Sequence, residues 1–154
     1  MISFLLRRSM RIAAAESCTA GLAADLLART SGASAVFWGS FVCYTADAKK
    51  SMLGVGSETL AKYGLVSGEC ALAMVRGALD KSGVDAAFSI TGLAGPDGDG
   101  SEVPVGTVWI AVALRGKTAE AVKYHFNSPR NELRLKAARA ALEQILAKLE
   151  QEYR

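Results

Sequence analysis

Histidine is nearly missing from this chain. His125 is the only one among 154 residues, so zinc sites built on histidine pairs are excluded and a Ser-His-Asp triad would rest on that residue alone. Cysteine is scarce too: Cys18, Cys43 and Cys70 are odd in number, far apart, and form no C-x-x-C pair. Such usage fits free thiols packed as small hydrophobes in a reducing compartment, and a cytoplasmic location is the expectation. An excess of one charge is also lacking, with 18 basic against 15 acidic residues, a net of +3 and no dense Lys/Arg block. That balance predicts no nucleic-acid partner and no membrane surface. Long apolar runs are absent: stretches such as Val108–Leu114 fall far below the ~20 residues needed to span a bilayer. Residues Met1–Met10 run apolar then basic, the reverse of a signal peptide's order.

What is present reads as one globular domain over residues 1–154, with 51% hydrophobic and 21% charged residues. A chain of this length buries roughly 68–70% of its unfolded surface, enough to fold without disulfide or metal. Short strand-like runs alternate with helical ones. Ile12–Ala15 reads as a strand, Ser17–Ala28 as a helix, Thr30–Ser34 as a loop and Val36–Tyr44 as a strand rich in aromatic and β-branched residues. Thr45–Leu53 and Ser57–Tyr63 read as short helices, and Ser67 stands as an N-cap ahead of Ala71, Met74, Val75, Ala78 and Leu79 at helical spacing. Ala86–Thr91 is a buried strand that opens into a glycine-rich loop, Gly92–Gly106. Thr107–Leu114 is apolar on both faces, which places it inside a sheet covered on both sides. A tight turn at Arg115–Lys117 leads to a partner strand, Ala119–Phe126. Ser128 as cap with Pro129 at the first helical position starts a last helix, whose Leu133, Ala137, Ala141, Ile145 and Leu149 share a face. The sum is an α/β layered domain with a mixed sheet.

Four places have the residue types for chemistry. The cluster Glu16-Ser17-Cys18-Thr19-Ala20-Gly21 sits at a strand-to-helix junction, where backbone N–H groups and the helix dipole favour an oxyanion or phosphate. Ser17 or Thr19 acting as a plain helix cap competes with that role. Cys18 is the rival nucleophile, but a thiol needs an activating base or cation, so a buried structural cysteine competes there. Tyr44 and Lys49 form the second place. A lysine acts as a general base once its pKa falls from ~10.4 toward ~7–8, and Ser-Lys-Tyr sets are an alternative to histidine triads in amide hydrolysis. A solvated helix face at Lys49-Lys50 is the competing reading. Third is Thr91–Gly100, whose glycines, Gly92 and Gly95 among them, permit close backbone approach to a ligand. It matches neither phosphate-loop pattern, because a strand follows it instead of a helix. Asp97 and Asp99 in a loop are weak grounds for a metal, and none is expected. Fourth are Arg130 and Arg134, one turn apart, suited to a phosphate or carboxylate unless they are merely exposed.

In combination and order, these motifs resemble the CinA C-terminal domain family, typified by nicotinamide mononucleotide deamidase. The family's A-E-S-C-T-G-G is matched by Ala15–Gly21, its Y-S-N-x-x-K by Tyr44–Lys49 and its G-x-V-S by Gly64–Ser67. Its T-G-I-A-G-P-x-G is matched by Thr91–Gly98 and its P-V-G-T-V-[WY] by Pro104–Trp109. The resemblance runs from about Arg11 to Leu146. It implies a three-layer α/β/α sandwich, commonly dimeric, that hydrolyses the carboxamide of a small nucleotide substrate with no cofactor. By that likeness Ser17 is the nucleophile, Lys49 the base and Tyr44 an aid to proton transfer. The likeness also has Thr91 line the site and Arg130 meet the phosphate; the physical reading adds N–H groups near Cys18 and Thr19 for the oxyanion, Gly92 and Gly95 among the glycines that let backbone approach the sugar-phosphate, and Arg134 as a further substrate contact. Two departures bear on substrate fit: Ala20 replaces a glycine of S-C-T-G-G, and Ser128-Pro129-Arg130 stands where the family has G-D-R. These leave two alternatives, an amidohydrolase for another carboxamide, or a non-catalytic nucleotide-sensing or partner-binding module.

Overall fold

Residue size alternates along the strands, and that alternation decides which helices cover which face. The computed structural model describes residues 1–153. In chain order the elements are α1 (Ile2–Arg8), β1 (Ile12–Glu16), α2 (Leu22–Ala28), α3 (Ala33–Val36), β2 (Phe37–Val42), α4 (Ala46–Leu53) and α5 (Ser57–Tyr63). There follow α6 (Gly68–Ser82), β3 (Ala86–Gly92), β4 (Thr107–Leu114), β5 (Glu120–His125) and α7 (Arg130–Glu152). The strands form one sheet in the order β2-β1-β3-β4-β5, with β1 parallel to both β2 and β3, and β4 antiparallel to β3 and β5. One face presents Ile12, Phe88, Ile90, Val108, Ile110, Val112 and Leu114, and packs against α1, α2, α3 and α7. The other presents mostly small residues, Ala13, Ala15, Ala87, Ala111 and Ala113, against α4 and α6. Small side chains let α6 lie close, and Ser89 uses that proximity to donate to the Ala71 carbonyl at 2.7 Å. The expected three-layer α/β/α sandwich with a mixed sheet is the fold observed.

Several element boundaries differ from the sequence reading, each for a local reason. The helix expected from Ser17 begins only at Leu22, because Ala20 (φ 50°) and Gly21 (φ 94°) are left-handed and cannot belong to a right-handed helix. Residues Met1–Met10, assigned no element above, contain α1, whose Ile2, Phe4 and Leu5 are buried. The supposed loop around Thr30–Ser34 runs into the single turn of α3, so β2 starts at Phe37 and stops at Val42. Ser67 does cap α6, its Oγ accepting from Cys70 N at 3.1 Å. Ser128 does not cap α7: Pro129 itself takes the N-cap position, and Ser128 Oγ instead accepts from Lys136 Nζ at 2.7 Å. Among the described residues no helix is long and apolar enough to cross a membrane.

The topology creates one natural crevice. From β1 the chain moves outward to β2 through α2 and α3 on one face, then returns through α4, α5 and α6 on the other face to β3 on the opposite side of β1. At such a switch point the loops leaving the carboxyl ends of the strands part in opposite directions and leave a cleft. Ser17, Cys43-Tyr44 and Thr91-Gly92 all lie at those ends.

Candidate active site

Ser17 is the first residue after β1, and its backbone is held from both neighbouring strands. Its N–H donates to Ile90 O at 2.9 Å, while Cys43 N donates to Glu16 O at 2.9 Å. Beyond it the chain makes a tight turn: Ala20 N donates to Ser17 O at 3.0 Å and Leu22 N to Thr19 O at 3.1 Å. The turn is anchored by Glu16, fully buried, whose carboxylate accepts from Gly21 N (3.1 Å), Ala23 N (3.0 Å), Ala24 N (2.9 Å) and Ser40 Oγ (3.0 Å). These are the free N–H groups and the positive dipole end of α2, so the helix N-terminus expected to receive an anion is already occupied by one from the chain itself.

Lys49 reaches Ser17 from the opposite layer. Thr45 caps α4 by accepting from Ala48 N at 3.1 Å, which sets the helix so that Lys49 points inward and Lys50 outward. Lys49 is 1% exposed, whereas Lys50 pairs with exposed Asp47 at 2.7 Å; the two adjacent lysines have opposite environments. Lys49 Nζ donates to Ser17 Oγ at 2.7 Å and to Cys43 O at 3.0 Å. Among the described residues no carboxylate lies within ion-pair distance of that amine.

Ser17 and Lys49 face a cavity of about 210 Å³, whose other polar lining comes from Tyr44, Thr91, Asp99 and Arg130. Leu65, Val66, Leu93 and Ala94 supply apolar walls, and Cys18 and Gly92 complete it. Tyr44, 53% exposed, stands at the rim, where its hydroxyl accepts from Arg130 Nη2 at 2.8 Å; Arg130 Nη1 donates to Gly95 O at 2.6 Å. Tyr44 therefore bonds Arg130 and not the Ser17–Lys49 pair. Gly95 meets the site through its carbonyl and is not itself a lining residue. Thr91 donates its hydroxyl to Leu65 O at 2.7 Å. Gly92 has no room for a side chain, since a Cβ there would stand 2.8 Å from Val108 Cγ2 and 2.9 Å from Thr107 O.

Three residues named from sequence have other surroundings than expected. Arg134 does not line the cavity; its Nε donates to Cys18 O and its Nη2 to Thr19 O, both at 3.0 Å. Thr19 is fully buried, outside the cavity lining, and its Oγ1 has no partner among the described residues. Cys18 lines the cavity but is 5% exposed, and burial pushes its thiol up to about 11, against the weaker pull of its own backbone N–H and of Lys49. A thiol so placed stays protonated at neutral pH and is a poor nucleophile. His125 ends the edge strand β5, paired with Thr107 and separated from β3 by β4, and it does not line the cavity. Sequence reasoning passed over Glu16, although a lone carboxylate ending a strand of alanines was a visible anomaly. Asp99 as a wall of this cavity had no sequence signal, because the loop's path decides it.

The family model of the CinA C-terminal domain matches residues 1–149. A CinA-like protein of Syntrophomonas wolfei is 46% identical over 133 residues, covering 86% of this chain and 32% of its own length. Another, of Kosmotoga olearia, is 41% identical over 143 residues, covering 93% and 34%. The chain thus spans about a third of the length of the curated relatives it matches. Among solved structures, the competence/damage inducible protein CihA of Agrobacterium tumefaciens superposes with a TM-score of 0.92 at 42% identity, over 97% of this chain and 90% of that one. A CinA superfamily protein of Klebsiella pneumoniae gives 0.93 at 34%, over 97% and 92%. By a family match along almost its entire length and by backbones that superpose this closely, the chain belongs to the CinA C-terminal domain family.

Proposed function

We propose that this domain is an amidohydrolase that deamidates nicotinamide mononucleotide, with Ser17 as nucleophile and Lys49 as general base. The observation that carries this reading is the 2.7 Å contact between Lys49 Nζ and Ser17 Oγ at a cavity wall. A base must lie within hydrogen-bond reach of the proton it takes, and this pair meets that condition without histidine. The unprotonated amine accepts the Ser17 proton as Oγ attacks the carboxamide carbon. The resulting oxyanion collapses, the C–N bond breaks, and Lys49 returns the proton to the departing ammonia. A nicotinoyl ester remains on Ser17. Water then attacks it, giving one proton to Lys49, which passes it to the departing Ser17 Oγ, and the released acid loses its remaining proton to solvent as the carboxylate. Arg130 is the cation at the mouth and suits the phosphate. Tyr44, accepting from Arg130, retains its own proton for the substrate. Leu65, Val66 and Leu93 offer apolar walls to a pyridine ring.

Incubation of the protein with nicotinamide mononucleotide should release ammonia, and Ser17→Ala should abolish that release. Lys49→Ala should lower kcat by about 100-fold or more with little change in KM, as befits a group acting only on the proton in flight. Equal ammonia release by wild type and Ser17→Ala would reject the reading. Turnover of simple carboxamides but not the mononucleotide would move the same chemistry to another substrate. Tight nucleotide binding without turnover would favour a sensing module.

A further inference from the structure

We propose that Arg134 is a positioning residue that builds the oxyanion site of Ser17, an inference resting on the amidohydrolase reading above. The turn after Ser17 is gripped from two sides. Glu16 holds its N–H groups at Gly21 and, beyond it, at Ala23 and Ala24, while Arg134 holds its carbonyls at Cys18 and Thr19. Between those grips, the N–H groups of Cys18 and Thr19 make no hydrogen bond to another described residue. Peptide planarity then fixes where they face. The Cys18 carbonyl and the Thr19 N–H belong to one trans peptide unit and point in opposite directions, so binding the carbonyl to Arg134 turns the N–H away from α7. The preceding unit is set in the same way, because Ser17 O accepts from Ala20 N inside the turn and its partner, Cys18 N–H, points outward.

Of the two, the Cys18 N–H stands directly after the nucleophile on the cavity wall, where an oxyanion needs a donor, and the Thr19 N–H backs it from a fully buried residue. A guanidinium on the Cys18 carbonyl also polarises that peptide and strengthens its N–H as a donor. Arg134 is well placed for this task and for no contact with substrate: it is half-buried, forks onto two successive carbonyls at 3.0 Å each, and lies outside the cavity lining. Arg130, one helical turn earlier on α7, faces the cavity mouth instead. The two arginines on one helix face therefore divide the work, one outside the turn and one inside the site.

The test uses Arg134→Gln and Arg134→Lys with two readouts. With nicotinamide mononucleotide, Arg134→Gln should lower kcat by about 10-fold or more and leave KM within about twofold, with Arg134→Lys in between. An alkyl fluorophosphonate provides a readout independent of the true substrate. Ser17 Oγ bonds to phosphorus, fluoride leaves, the Ser17 proton goes to Lys49, and the phosphoryl oxygen occupies the oxyanion position. Labelling of Ser17, located by mass spectrometry against a Ser17→Ala control, should slow in parallel with kcat. Thermal melts check that each variant folds; should Arg134→Gln fail to, the lysine variant, which keeps the charge and loses the fork, decides. A rise in KM at constant kcat, unchanged labelling in a folded variant, or no labelling of wild-type Ser17 would each overturn the proposal. Wild type that labels at Ser17 yet releases no ammonia from the nucleotide, with slower labelling in Arg134→Gln, would remove the deamidase reading and support the positioning role.

Discussion

Ala20 shows how one side chain records a compromise between turn and site. Its φ of 50° lies in the left-handed region, where a residue with a Cβ is disfavoured by roughly 1–2 kcal/mol. The turn accepts this because reversing the chain there lets Glu16 reach the N–H groups of α2 and leaves Ser17 Oγ against Lys49. Glycine removes the strain but adds about 0.4–1 kcal/mol of unfolded-state freedom. Ala20→Gly is therefore expected to raise stability in urea titration by about 0.5 kcal/mol. A loss of stability would show that the alanine methyl has a packing role. Lys49 makes the opposite point: Lys49-Lys50 reads as a solvated pair, yet one is buried and one ion-paired at the surface. Nothing in residue type separates them; the Thr45 cap and the helical rotation do.

At the scale of elements, the site depends on how closely α4 and α6 approach. Gly77 of α6 lies against the end of α4, where a Cβ would stand 2.1 Å from Leu53 O and 2.9 Å from Leu53 C. Both atoms are backbone, so neither can rotate aside. Gly77→Ala must push α4 away, and the overpacking is expected to cost about 1–3 kcal/mol. Lys49 rides on α4, so its contact with Ser17 lengthens and kcat falls although Gly77 lines no part of the cavity. Calorimetry with steady-state kinetics on the same preparation checks both effects; unaltered kcat would mean that α4 is positioned by something other than α6. Element type was legible wherever the pattern was local. The double-faced apolar run of Thr107–Leu114 is β4 at the same bounds, and Ser67 caps α6 as its position suggested. The helix start after Ser17 was misread, because the left-handed pair at Ala20 and Gly21 is a backbone conformation that alanine does not advertise.

For the molecule as a whole, the layers that bury the site also bury the cysteines. Burial raises all three thiols, Cys18 and Cys70 to about 11 from 9.0. Between 9.0 and about 11 the unfolded chain releases thiol protons that the folded chain retains, so stability present below pH 9 is lost as pH rises through that window. Chemical denaturation from pH 8 to 10.5 should show wild type losing stability more steeply than Cys70→Ala, whatever the variant's lower starting value. Parallel slopes would mean that Cys70 titrates as an ordinary thiol.

Residue order alone carried the α/β alternation, the apolar faces of β3 and β4, and the motif likeness that named Ser17, Tyr44, Lys49 and Arg130. Those are matters of short-range periodicity and residue type, which a chain displays without folding. Folding alone placed Lys49 on Ser17, 32 positions away, and tied Arg134 to Cys18 and Thr19 across more than a hundred. Such contacts arise because the winding of the parallel strands β2, β1 and β3 reverses at β1 and brings their ends to one cleft. Spacing along the chain holds no trace of that distance, so which arginine meets the cavity and which holds the turn could be decided only by the packed layers.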